Sequence, residues 1–99
     1  MKSVFKYQIP LIRNATIEVP FGAKFLSLIV QDDLPTLYYL VDPEETKATY
    51  QSLLVIGTGW HITDDSLEHT EFLGTITTHG GELVWHIWRV KNKRDMGVE

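Results

Sequence analysis

Glu71 to Val90, EFLGTITTHGGELVWHIWRV, reads as one long β-hairpin turning on Gly80-Gly81. Two consecutive glycines between runs of β-branched and aromatic residues suit a two-residue primed turn, whose central positions both need φ > 0. A turn there fixes the pairing. It sets His79 against Glu82, Thr77 against Val84, Thr75 against His86 and Leu73 against Trp88 on one side of the ribbon. The other side carries Thr78 opposite Leu83, Ile76 opposite Trp85 and Gly74 opposite Ile87, and this is the expected core face. The first side mixes threonines, histidines, a carboxylate and a tryptophan, and it is the candidate functional face.

Upstream, the chain repeats the same short-strand grammar. Phe5, Tyr7 and Ile9 alternate with Lys6 and Gln8 in a strand ended by Pro10. Thr16 to Val19 forms a second strand, stopped by Val19-Pro20-Phe21-Gly22 as a type I turn. Lys24 to Val30 is nearly all apolar, which predicts a central strand buried on both faces. Asp32-Asp33 then joins it to Thr36 to Val41. That hairpin pairs Leu28 with Leu37, Ser27 with Tyr38, Leu26 with Tyr39 and Phe25 with Leu40. Lys47 to Ile56 is a further strand, followed by a corner at Gly57 and Gly59. Thr63 to Glu68 has capping residues for a single helical turn. The expected fold is all-β: an antiparallel sandwich or partly open barrel of about seven strands, with at most one short helical turn. Residues 1–90 form one β domain, and 91–99 form a mobile polar tail.

Composition narrows the function classes. Apolar residues at 43% and charged residues at 22% suit a globular chain with a single core. The absence of cysteine excludes a disulfide scaffold and thiolate metal sites. Residues 1–88 carry five Lys/Arg against eleven Asp/Glu, whereas 89–99 carry four against two. An acidic body argues against duplex nucleic acid as partner, although Arg89, Lys91, Lys93 and Arg94 could serve a small anion. No apolar run is long enough to span a membrane, and Met1-Lys2-Ser3-Val4 leads into alternation, not a signal peptide. A soluble, unexported protein is expected.

No catalytic signature stands out. His79 and His86 share a face but lie ~13 Å apart along the proposed ribbon, too far to share an ion. His61 and His69 flank the acidic turn of Asp64, Asp65 and Glu68 without a known ligand spacing. Ser27, Ser52 and Ser66 lack an evident histidine partner, and the adjacent acidic pairs are turn residues. The expectation is no catalytic residue, no metal and no cofactor. Trp85, above Gly74 on the apolar face, is read as core. Trp88 shares the opposite face with His86, Thr75 and Thr77, where it is half-covered by another sheet, part of a subunit interface or a stacking platform for a ligand. With the corner at Trp60 and His61, these six residues are the expected binding set.

Across Lys6 to Pro10, Ile17 to Lys24, Leu40 to Pro43, Val55 to Ile62 and His79 to Trp88, the chain resembles a family of small uncharacterised proteins encoded by bacteriophages and prophages. The likeness covers nearly the whole chain and brings no assigned activity. It implies a viral accessory protein in the host bacterial cytoplasm. Such proteins commonly disarm host machinery or host defence by stoichiometric capture of a host protein or a small anionic, nucleotide-like ligand. The expected function is therefore a non-enzymatic binding protein, a homo-oligomer. Its rivals are a small hydrolase or metal enzyme built on His61, His69, His79 and His86, and a structural virion component.

Overall fold

The computed structural model describes residues 1–91. Seven strands run β1 (Ser3–Gln8), β2 (Asn14–Pro20), β3 (Lys24–Gln31), β4 (Leu34–Val41), β5 (Ala48–Gly57), β6 (Thr70–Thr78) and β7 (Leu83–Val90). Between β5 and β6 lies one helical turn, α1 (Asp64–Leu67), capped as read from the sequence by the Thr63 hydroxyl, which accepts from the Ser66 N–H at 3.2 Å. Every pairing is antiparallel, in two sheets ordered β1-β4-β3 and β2-β5-β7-β6. The all-β expectation holds, and its sandwich form is the one adopted. Of the tail expected over 91–99, all but Lys91 lies outside the described residues.

The core fills the space between the sheets. Leu37, Tyr39 and Val41 from β4 face Leu53 and Val55 from β5 and Trp85 and Ile87 from β7, with Ile9, Ala15, Val19 and Ile76 completing it. Alternation decides these memberships, because one face of each strand turns inward. Trp85 is the largest of the β7 contributions. Its indole N–H donates to the Thr78 hydroxyl at 3.0 Å, so the ring is buried without an orphaned donor.

The Gly80-Gly81 hairpin keeps its expected register from Gly74–Ile87 to Thr78–Leu83. Gly80 and Gly81 take φ of +68° and +90°, and the left-handed conformation extends back to His79 at +55°. Beyond Gly74 the register slips. A bulge at Leu73 sets Phe72, instead of Leu73, against Trp88. The Asp32-Asp33 hairpin repeats this pattern: Leu28 meets Leu37 and Ser27 meets Tyr38 as expected, then a bulge at Leu26 brings Phe25 opposite Tyr39 and Lys24 opposite Leu40. Both aspartates adopt positive φ, at +54° and +59°.

The expected burial of β3 is overturned. It lies at a sheet edge, with Leu26 and Ile29 each 45% exposed, and β4 is the central strand instead. An apolar run shows that a strand favours burial, but not whether a neighbour covers it. Here β1 pairs with the far side of β4, which encloses β4 and leaves β3 outside. The turn after β2 is also one residue later than expected: the Ala23 N–H donates to the Pro20 carbonyl, so Gly22, at φ +83°, occupies the third position. That glycine satisfies a positive φ at no steric cost.

The two hairpin tips meet at one end of the sandwich. The His79 N–H donates to Asp33 Oδ1 at 2.9 Å. Behind it, the Thr78 hydroxyl that accepts from Trp85 lies 2.8 Å from His79 Nδ1. In the Nε2–H tautomer His79 accepts the Thr78 hydrogen, completing a chain from the core to the neighbouring hairpin.

Tyr39 packs edge-on to Tyr7 and Phe25, with ring centroids 5.7 Å away in each case. Only 1% of the residue is exposed, yet among the described residues its hydroxyl has no hydrogen-bond partner. Burial pushes its pKa up to about 12; Tyr7 adds to the rise and Arg89 opposes it. Burial also raises that of Tyr7.

Truncation of Trp85 to alanine is expected to cost about 3–5 kcal/mol in urea unfolding, since it empties a core site and strips the partner from Thr78. A loss within the range of a surface substitution would contradict that placement. Alkaline titration tests Tyr39. The folded chain holds the phenol proton more tightly than the unfolded chain, so stability is fully present below pH 10 and declines as pH rises through about 12. The decline should reach about 3 kcal/mol and shrink in Tyr39→Phe; equal alkaline losses in both proteins would refute the assignment.

Candidate functional site

Strand β7 divides its side chains between two surfaces. Trp85, Ile87 and Arg89 turn toward the space between the sheets, whereas Val84, His86 and Trp88 turn to the outer face of the four-stranded sheet. On that outer face Thr75 pairs with His86 and Phe72 with Trp88. His86 is held at both ring nitrogens: Thr75 Oγ1 lies 3.0 Å from Nδ1 and Thr58 Oγ1 lies 2.7 Å from Nε2. A neutral imidazole satisfies this arrangement by donating through one nitrogen and accepting through the other. The ring thus ties the loop after β5 to β6. Using it as a metal ligand or general base would require breaking one of these bonds.

Trp88 meets Phe72 in a tilted pair with centroids 5.1 Å apart. Trp88 is half-buried and Phe72 is 52% exposed, so the pair offers an aromatic surface on the outer face of the sheet. The bulge at Leu73 creates this pair by moving Phe72 opposite Trp88. Thr77 is exposed two residues from Thr75, opposite Val84.

The corner expected at Gly57 and Gly59 is a tight turn, with Gly59 at φ +89°. The Trp60 N–H closes a turn onto the Gly57 carbonyl, and the indole lies over Gly57 so closely that a Cβ there would sit 2.9 Å from it. Trp60 also meets Trp85 edge-to-face at 5.5 Å, and the Arg13 guanidinium lies 5.8 Å from its ring centroid. Trp60 therefore joins the core-side indole of Trp85, not the outer-face pair of Trp88 and Phe72. Between Trp60 and the hairpin is a groove of about 360 Å³ lined by Gly57, Thr58, Trp60, Glu82, Leu83, Val84 and Trp85. His61 is exposed, and its backbone carbonyl accepts from Arg13.

The six residues expected to act together are thus distributed over three places. Thr75 and His86 are bonded directly, with Thr58 on the other ring nitrogen; Trp88 and Thr77 share their sheet face; Trp60 walls the groove, with His61 beyond it. Among the described residues, no three of His, Cys, Asp and Glu are grouped to hold a metal ion.

A second opening was not anticipated from the sequence. Ala23, Lys24, Phe25, Tyr39, Gln51, Glu71 and Arg89 line a cleft of about 320 Å³ between the two sheets. Arg89 Nε donates to Glu71 Oε1, and Arg89 Nη1 donates to Gln51 Oε1 at 3.4 Å. Gln51 is placed in turn by donating to the Val90 carbonyl at 3.0 Å. The one signal in the sequence was the alternation that sets Arg89 on the same face as Trp85 and Ile87, a charge on a core face.

No curated protein and no solved structure matches the chain. Residues 1–97 match the model of a domain of unknown function, DUF7352. The match spans the whole sandwich, and the chain belongs to the DUF7352 family.

Proposed function

We propose that this is a phage- or prophage-encoded accessory protein that works without catalysis, by stoichiometric capture of a host protein in the bacterial cytoplasm. The observation that carries the reading is the Phe72–Trp88 pair on the outer sheet face, beside a histidine whose two nitrogens are already engaged. Exposed aromatic rings rimmed by threonines resemble the anchors of protein interfaces, where a large ring becomes covered and nearby hydroxyls contribute adaptable hydrogen bonds. Rigidity favours the same role. Both rings project from paired strands, so little conformational entropy is lost when a partner covers them. The neighbouring groove walled by Trp60 and Leu83 would take one protruding side chain.

The phage origin rests on the motif resemblance, and interference with host defence is the role that such an accessory protein would play. Homo-oligomer formation belongs to the proposal too. It is supported by β3, an edge strand with exposed Leu26, Ile29 and Val30, because an apolar edge invites pairing with another chain.

Substitution of the pair separates this reading from a purely structural one. Phe72→Ser should keep the melting temperature within a few degrees, and Trp88→Ala should lower it modestly. Both should lose partner cross-links in bacterial cells. An unchanged cross-link pattern in both variants would rule out the outer face as the interaction surface. Gly57→Ala addresses the groove: the new methyl should push Trp60 off Trp85, red-shift the tryptophan fluorescence and cost about 1 kcal/mol. An unchanged spectrum would show that the corner tolerates a side chain.

A further inference from the structure

The cleft between the sheets combines features that packing alone does not explain. The Tyr39 hydroxyl is a fully buried donor with no partner among the described residues. Such a group costs free energy unless something accepts its hydrogen. Tyr39 lines a cleft that Arg89, Lys24 and Gln51 also line. One carboxylate, Glu71, is present and is engaged by Arg89 Nε. Arg89 and Lys24 against Glu71 leave the residues of the lining with one net positive charge.

We infer that this cleft binds a small oxyanion, a carboxylate or a phosphate monoester, with one ligand oxygen accepting from the Tyr39 hydroxyl and the charge facing Lys24 and Arg89. The volume of about 320 Å³ lies at the lower end of the range for small-molecule sites and excludes a large ligand. Phe25 supplies an apolar wall beside the charged end. Because burial keeps the phenol protonated well past neutrality, Tyr39 is a hydrogen donor under physiological conditions and not a competing anion. The site is distinct from the outer face of β7, since Arg89 and Trp88 point to opposite sides of the sheet. Binding here can therefore fail while the partner-binding reading stands, and the reverse also holds.

Acetate and inorganic phosphate, titrated separately into the intact protein at neutral pH and followed by amide chemical shifts, test the assignment. One of the two should saturate at one site per chain, with the largest shifts at Lys24, Phe25, Gln51 and Arg89. Saturation by acetate alone assigns the carboxylate class, and saturation by phosphate alone assigns the phosphate class. Tyr39→Phe should weaken that binding about tenfold or more while leaving stability at neutral pH equal or higher, because it removes an orphaned hydroxyl. Lys24→Gln, at an exposed position, should weaken binding without unfolding the chain. Non-saturating shifts with both anions, undiminished affinity in Tyr39→Phe, or a loss of stability in Tyr39→Phe would each overturn the inference.

Discussion

An indole cannot be buried cheaply unless its N–H finds an acceptor, and the answer to that constraint organises this domain. Trp85 reaches Thr78 on the neighbouring strand, seven residues back across the hairpin. Thr78 is itself buried, and its hydroxyl lies beside His79, whose backbone N–H is held by Asp33 of the other sheet's hairpin. One side chain in the core thereby fixes the relative position of two turns that share no strand. The same ring receives the edge of Trp60, which in turn demands the missing side chain at Gly57. Loss of the indole would loosen both sheets at one end.

Much of this arrangement was legible in the residues. A diglycine between β-formers gives a register, a register gives two faces, and the faces of β6 and β7 near the turn are those expected. The reading failed where an extra residue entered the ladder. Leu26 and Leu73 are ordinary β-formers, so nothing in their identity announces a bulge. Both occur on strands at the same edge of the sandwich, where Leu28 of β3 packs 3.5 Å from where a Cβ on Gly74 of β6 would stand. The position of β3 was misread for a related reason. Hydrophobicity records an affinity for burial, whereas strand order depends on which pairings the whole chain can close.

The functional surfaces differ in the same way. His86, Thr75 and Trp88 share a face through local alternation, which can be read directly. The cleft is assembled from β3, β4, β5, β6 and β7, and its defining feature is the absence of a partner for one hydroxyl. Such an absence has no signature in sequence. Only the charge of Arg89 on a core-facing position hinted that the space between the sheets is not wholly apolar.

Two buried aromatic residues with polar atoms therefore stand in contrast. Trp85 has its acceptor supplied by the fold, and Tyr39 does not. An unsatisfied buried hydroxyl costs about 1–3 kcal/mol, a substantial fraction of the 5–15 kcal/mol by which domains of this size are usually stable. A phenylalanine at position 39 would keep the same edge-on contacts with Tyr7 and Phe25 and avoid that cost. The hydroxyl gives nothing to packing, and Tyr39 lines a cleft together with Arg89, Lys24 and Gln51. An oxygen-bearing anion would satisfy the phenol and offset the excess positive charge at once, which neither water alone nor an apolar filler would do.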